Sequence, residues 1–234
     1  KLKFCIFLTK NLMREIIAEK FLGSPLNCLS LSPGLQHCAV GKRNMVQIVG
    51  IDLKGFVVLK DLHDSVKGNI KDSVVDVSWS RLESGMIAAS MSNGGALIWD
   101  IVKSNSLQSL ERIKVENHCT INRIEWHPNA PNMLLTCSMN NTIKLWDKRG
   151  RSHHCAITFQ PRSLAIRDVQ FSRFHSEKFS AVFENGQLQI WDRRKAAHPE
   201  TKFLAHSLPT YSVTWHPMHE NLIATGSRDR TVNI

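Results

Sequence analysis

The 234-residue chain lacks most of the marks by which enzymes and membrane proteins are recognised. It has no Gly-rich phosphate loop, no dinucleotide-binding glycine pattern and no Gly-x-Ser-x-Gly elbow, so no motif points to phosphoryl transfer, hydride transfer or serine hydrolysis. No apolar run approaches the roughly 20 residues that a membrane-spanning helix needs. The run from Phe4 to Leu8 is short, has basic residues on both sides and lacks a small-residue cleavage signal. The six cysteines (Cys5, Cys28, Cys38, Cys119, Cys137 and Cys155) form no Cys-x-x-Cys pair. They read as the reduced thiols of an intracellular protein rather than as a zinc or disulfide framework. Acidic residues are in deficit, 20 against 30 basic ones, for a net charge of +10. The basic residues are scattered, however, with short clusters at Lys148-Arg149 and Arg193-Arg194-Lys195 and no interleaved aromatics. A solvated rim is expected there, and nucleic-acid binding is not.

What the chain does have is a repeat. The stretch from Ile166 to Asp192 reads as a short alternating strand, a polar turn through His175 and Glu177, and a second strand from Phe179 to Phe183. The Asn185-Gly186 turn follows, then a third strand ending in Trp191-Asp192. Asn-Gly between apolar runs signals a hairpin, here read as type I′. The ending recurs at Trp146-Asp147 and Trp99-Asp100, and six residues before each Trp stands Asn185, Asn140 or Asn93. Asp229 holds the matching place in a further copy. The opening strands recur too, as Val77-Ser78-Trp79, Ile124-Glu125-Trp126, Val169-Gln170-Phe171 and Val213-Thr214-Trp215. A period in the mid-forties with a Trp-Asp ending is the signature of a β-propeller of WD repeats.

The expected fold is therefore all-β, an incomplete propeller of about five blades out of a usual seven or so. The blades are assigned to residues 26–62, 72–110, 118–159, 164–203 and 206–234, the last one cut short. The first is placed by spacing, because its Trp-Asp position reads Val49-Gly50. Since the chain opens on Lys1 and stops where the next Trp-Asp is due, it reads as a fragment or an incomplete gene model. Residues 1–25 leave three readings open: a short amphipathic helix with Leu12, Ile16, Ile17 and Phe21 on one face, a translation start at Met13, or a strand that closes the ring.

Each Trp should be wedged between blades, its indole N–H in need of an acceptor. WD-repeat families meet that need with a His before the first strand, a Ser or Thr in the second and an Asp in the hairpin turn. The matching residues here are His118, Ser138, Asn140 and Trp146 in the third blade, and His206, Ser227 and Asp229 in the fifth. The fourth has Phe183 in place of the Ser and no upstream His. Such sets resemble catalytic His-Ser-acid groups, but they recur once per blade instead of converging on one pocket, so a structural role is expected. His153-His154-Cys155 is the densest cluster of soft ligands and lacks a fourth ligand at regular spacing; His216 and His219 have no intervening Glu. No metal, cofactor or catalytic residue is expected. Function is expected on the propeller face where first strands begin and hairpin turns end, carrying Asp76, Arg123, Arg167, Asp168, Arg228 and Arg230.

Two stretches are more specific than generic WD repeats: Ile166 to Ser172 with Phe183 to Arg194, and Ala205-His206 with Thr214 to Pro217 and Leu222 to Asp229. They resemble the WD-repeat subunits of the GATOR complex (SEA in yeast), in particular one that also carries a C-terminal RING-type zinc domain. The resemblance covers most of residues 26–234. It implies a non-enzymatic scaffold that contacts other protein subunits of a multi-subunit complex. It also implies a cytoplasmic protein recruited through partners to the lysosomal or vacuolar surface, promoting target-of-rapamycin signalling when amino acids are present and restraining autophagy. Zinc and ligase chemistry belong to the family's C-terminal domain and are carried to no residue of this chain. The alternatives are a substrate-recruiting propeller of a ubiquitin ligase and a nucleic-acid-associated propeller.

Overall fold

The computed structural model describes residues 4–10, 13–20, 22, 24–52, 55–63, 72–102, 111–114, 119–149 and 155–234. Every regular element among them is a β-strand. Strands β1 (Phe4–Lys10) and β2 (Met13–Lys20) pair antiparallel as a separate two-stranded sheet. The amphipathic helix considered for this segment is thus replaced by a strand. Adjacent β-branched Ile16 and Ile17 favour extended backbone, and β1 offers the ladder partner. Leu12 and Phe21 lie outside the described residues. No helix is long and apolar enough to cross a membrane among the residues described.

The remaining strands build five antiparallel meanders. The first comprises β3 (Leu26–Leu31), β4 (His37–Lys42), β5 (Val46–Asp52) and β6 (Gly55–Leu62). The second comprises β7 (Val74–Trp79), β8 (Met86–Met91), β9 (Gly95–Asp100) and β10 (Glu111–Lys114). The third has β11 (Ile121–Trp126), β12 (Met133–Ser138), β13 (Ile143–Asp147) and β14 (Cys155–Phe159). The fourth has β15 (Ile166–Phe171), β16 (Lys178–Phe183), β17 (Gln187–Asp192) and β18 (Thr201–Leu204). The fifth has β19 (Thr210–Trp215), β20 (Ile223–Ser227) and β21 (Val232–Asn233). The fourth strands of the second and fourth sheets reach beyond the expected limits at residues 110 and 203. Outer strands carry the weakest apolar pattern, and β18 is exposed at all four positions, so their ends are the hardest to read.

The Val49 position of the first sheet has the same register as the Trp of the Trp-Asp endings. Val49 stands opposite Cys38 just as Trp99 faces Ile87, Trp146 faces Leu134 and Trp191 faces Phe179. The second strands of the first four sheets are buried on both faces, β8 at every residue, whereas in β20 of the fifth only Thr225 is buried. The core therefore lies between sheets. Val46, Ile48 and Leu62 of the first pack with Val77, Trp79 and Trp99 of the second. Ala88 and Ile98 of the second join Ile124 and Trp126 of the third. Leu135, Leu145 and Phe159 of the third join Val169, Phe179 and Trp191 of the fourth.

The first strand of each sheet is an edge strand whose outward N–H groups have no ladder partner. Side chains from the preceding sheet supply the acceptors. Ser30 Oγ takes Trp79 N–H at 2.9 Å; Asp76 Oδ2 takes Ile124 N–H at 3.0 Å; Ser78 Oγ takes Trp126 N–H at 3.2 Å. Glu125 Oε2 takes Phe171 N–H at 2.8 Å, and Asp168 Oδ2 and Gln170 Oε1 take Val213 and Trp215 N–H at 3.0 and 2.7 Å. These polar positions are thus staples between sheets.

Candidate partner-binding face

The hairpins joining second and third strands lie with the starts of the first strands on one face. In four sheets the chain turns back with a hydrogen bond across four residues: Gly94 N–H to Met91, Asn141 to Ser138, Gly186 to Phe183 and Arg230 to Ser227. Each of these donors has positive φ, at 81°, 64°, 80° and 68° respectively. Asn185 is not among the positive-φ residues, so the Asn185-Gly186 turn is not type I′. It is a three-residue loop in which one left-handed residue completes a type I turn, the geometry that a bulged hairpin prefers. Glycine is required at 186, where a Cβ would stand 2.0 Å from the carbonyl oxygen of His206.

The recurring polar turn residue caps this loop. Asn93 Oδ1 accepts Gly95 N–H at 2.9 Å, Asn185 Oδ1 accepts Gln187 N–H at 3.3 Å, and Asp229 Oδ1 accepts Thr231 N–H at 2.9 Å. Asn140 Oδ1 accepts the Thr142 hydroxyl at 2.6 Å. The threonine hydroxyl of Thr231 and the backbone bond pull Asp229 down to about 2.

The expected indole network exists with different members. Trp146 donates to Thr136 Oγ1 at 2.9 Å, not to Ser138. Ser138 Oγ instead donates to the Thr120 carbonyl and accepts Asn140 N–H at the hairpin. In the fifth sheet, His206, 4% exposed, pairs its Nδ1 with Asp229 at 2.9 Å and its Nε2 with Thr225 at 2.9 Å. Ser227 again serves the loop, donating to the Leu208 and Pro209 carbonyls. Trp191 donates to Gln189 Oε1 at 3.2 Å, and Trp99 to the His63 carbonyl at 2.9 Å. Thr136 and Gln189 are thus the indole acceptors, and Thr225 the His206 partner, that sequence reasoning missed. His118, His153 and His154 lie outside the described residues, and no group of three or more His, Cys, Asp or Glu could hold a metal among those described.

The six charged residues assigned to this face divide into two groups. Asp76 and Asp168 are buried, 5% and 8% exposed, and Arg123 bridges them from between, 3.3 Å from Asp76 Oδ1 and 3.2 Å from Asp168 Oδ1. Burial raises both carboxyls, Asp168 to about 6, while Arg123 pulls the other way. One guanidinium thereby links the second, third and fourth sheets. Arg167 is likewise engaged, paired with Glu184 and lying over the Tyr211 ring of the next sheet, 5.6 Å from its centre. Only Arg228 and Arg230 are exposed with side chains that make no hydrogen bond or ion pair among the described residues. Of the six, the exposed pair is thus confined to one hairpin, because the others sit where consecutive inner strands meet.

Three of the described thiols are held in the protonated form by burial. Cys28, Cys38, Cys119, Cys137 and Cys155 are free, and burial pushes Cys28 up to about 12, Cys38 to about 11 and Cys137 upward as well.

A family description, "WD domain, G-beta repeat", matches residues 109–147 and 198–234. The chain is 33% identical over 213 residues to the GATOR2 complex protein WDR24 of Danio rerio, covering 91% of this chain and 27% of that protein. It is 36% identical over 217 residues to the GATOR2 complex protein WDR24 of Dictyostelium discoideum, covering 91% of this chain and 21% of that one. The chain thus spans about a quarter of the length of these relatives. A chain in the crystal structure of the mitotic checkpoint complex shares the fold, with a TM-score of 0.70 at 23% identity over 86% of this chain and 59% of that chain. With its repeated meanders, Trp-Asp endings and inter-sheet indoles, the chain is a WD-repeat propeller chain and belongs to the family that includes these GATOR2 proteins.

Proposed function

We propose that this propeller serves as a non-enzymatic scaffold in a GATOR2-type complex, promoting target-of-rapamycin signalling when amino acids are present and restraining autophagy. The observation that carries the reading is similarity over 91% of the chain to proteins named as GATOR2 subunits. The polar sets that resemble catalytic groups have structural employment: His206 joins turn to strand, and Thr136 satisfies an indole. The scaffold works in the cytoplasm and reaches the lysosomal or vacuolar surface through its partners. Of the six charged residues assigned to the hairpin face, Arg228 and Arg230 are exposed and free to meet a partner carboxylate.

The test is affinity purification of the full-length protein from its own cells. The GATOR2 subunits should co-purify, and Arg228→Glu with Arg230→Glu should lower their recovery without changing the melting temperature. Loss of the gene should blunt phosphorylation of target-of-rapamycin substrates after amino-acid restoration. A purification free of those subunits would refute the assignment.

A further inference from the structure

The hairpin face also carries apolar side chains that the inter-sheet core does not use. Leu164 and Leu208 stand in equivalent places one repeat apart, each two residues before a first strand, β15 at Ile166 and β19 at Thr210. Ser24, Asp72 and Cys119 hold that place before β3, β7 and β11, so a large apolar side chain occurs there only in the fourth and fifth sheets. Leu164 is 55% exposed, Leu208 45%, and Met139 on the third hairpin 44%.

Hydrogen bonds between hairpins and connectors tie these positions into a row. The Asn141 amide of the third hairpin donates to the Ser163 carbonyl at 2.7 Å, and the Glu184 N–H of the fourth donates to the Ala165 carbonyl at 3.0 Å. Leu164 therefore lies between those two hairpins. The Gly186 carbonyl of the fourth hairpin accepts the Ala205 and His206 N–H groups at 3.0 and 3.1 Å, and Ser227 Oγ, where the fifth hairpin starts, donates to the Leu208 carbonyl at 3.2 Å. Leu208 therefore lies between the fourth and fifth. The row ends at the fifth hairpin, where Arg228 N–H donates to the Pro209 carbonyl at 2.9 Å.

The free charge along this row has one sign. Arg162, Arg228 and Arg230 are exposed, and their guanidinium groups make no hydrogen bond or ion pair among the described residues. The carboxylates beside them are engaged: Glu184 pairs with Arg167, and Asp229 holds His206 Nδ1 at 2.9 Å and the Thr231 hydroxyl at 2.6 Å. A small anion would pair with the arginines and leave the leucines wet; a wholly apolar segment would cover the leucines and desolvate unpaired cations. A bilayer takes up side chains that stand clear of their neighbours, whereas Leu164 and Leu208 are half covered between hairpins. We propose that this row docks an acidic peptide segment of a partner protein, with two apolar side chains on Leu164 and Leu208 and carboxylates on Arg228 and Arg230. The proposal rests on the scaffold reading and adds the chemistry of the segment that the scaffold holds.

The experiment is fluorescence anisotropy with the purified full-length protein and two pools of short labelled peptides. One pool sets Asp or Glu beside two Leu or Phe residues; the other replaces the acids by Asn or Gln. The acidic pool should bind, and more weakly as salt shortens the reach of the charges. Arg228→Gln with Arg230→Gln should cost about tenfold in affinity, and Leu164→Ser with Leu208→Ser about as much, at unchanged melting temperature. Arg173→Glu, at the opposite end of β15, should leave binding alone. Vesicles of phosphatidylcholine with phosphatidylserine should not displace the acidic pool. The proposal falls if the acidic pool does not bind, if both pools bind equally, if either pair of substitutions has no effect, or if the vesicles displace the peptides. Peptide binding without co-purifying GATOR2 subunits would refute the scaffold assignment and leave this surface standing; subunits without peptide binding would refute the surface alone.

Discussion

The third and fourth sheets hold the same Trp-Asp tryptophan in the same register and satisfy it by different means. Trp146 gives its N–H to Thr136, in the neighbouring strand, and has Lys144 Nζ 5.8 Å from its ring centre. Trp191 gives its N–H to Gln189, two residues back on its own strand, and sits in an aromatic cage. Phe159 meets it edge-on at 5.5 Å, and Phe179 stacks nearly parallel at 6.3 Å. Where the third sheet has Thr136, the fourth has Ala181, and Gln189 makes good the loss of the hydroxyl. The backbone position and the buried ring are common to both; the identity of the acceptor is not. Burial of an indole requires that some acceptor stand within reach, and any residue that meets the geometry will serve.

Removing the rings gives the largest effect. Trp191→Ala and Trp146→Ala should each cost about 3–5 kcal/mol in urea unfolding, with Trp191 towards the upper end because it loses two aromatic neighbours as well. A loss below about 1 kcal/mol in either variant would show that the ring is not part of the inter-sheet core.

Removing the acceptor separates the two sheets more finely. Thr136→Val keeps the volume and strands the Trp146 N–H, so a loss of about 1–3 kcal/mol is expected, with Thr136→Ser recovering most of it. Gln189→Leu should lose a similar amount, and no hydroxyl at a neighbouring site is placed to compensate. Gln189 also donates to the Pro161 carbonyl at 3.5 Å, and it is 1% exposed. Equal stability of Thr136→Val and the parent in chemical denaturation would place the indole's partner elsewhere, in water.

Strand positions and Trp-Asp endings were legible because a strand buried on both faces leaves an apolar run, and a sharp turn leaves Asn or Gly. The acceptors were legible only to within the correct face of the strand. Ser138 and Thr136 point the same way, since side chains two apart share a side, but Trp146 stands opposite Leu134. Thr136 is therefore one step along that face and Ser138 two, beyond hydrogen-bond reach of the indole. Asp76 and Asp168 misled for a different reason. They read as charges at strand starts on the partner-binding face, yet the next sheet's inner strand covers them and takes their oxygens. That contact joins residues 48 and 45 apart, and no local pattern announces it. Arg123 between them follows the same logic: its neighbours come from the sheets before and after its own.

The smallest effect concerns the hairpin that ends the comparison. The left-handed turn position is Gly94, Asn141 and Gly186 in the second to fourth sheets, but Arg230 in the fifth, with φ of 68°. A long side chain in that conformation is unfavourable, and the exposed Arg230 side chain makes no contact among the described residues that offsets it. Arg230→Gly should therefore stabilise the chain by about 0.5–1 kcal/mol, read as a higher midpoint in thermal or urea unfolding. If the same variant also lowers recovery of partner subunits, the strained arginine is retained for contact rather than for folding, since folding alone would favour the glycine found in two of the equivalent turns. A variant that neither gains stability nor loses partners would mean that the left-handed backbone at residue 230 carries no cost, and the fifth hairpin would then differ from the others in sequence alone.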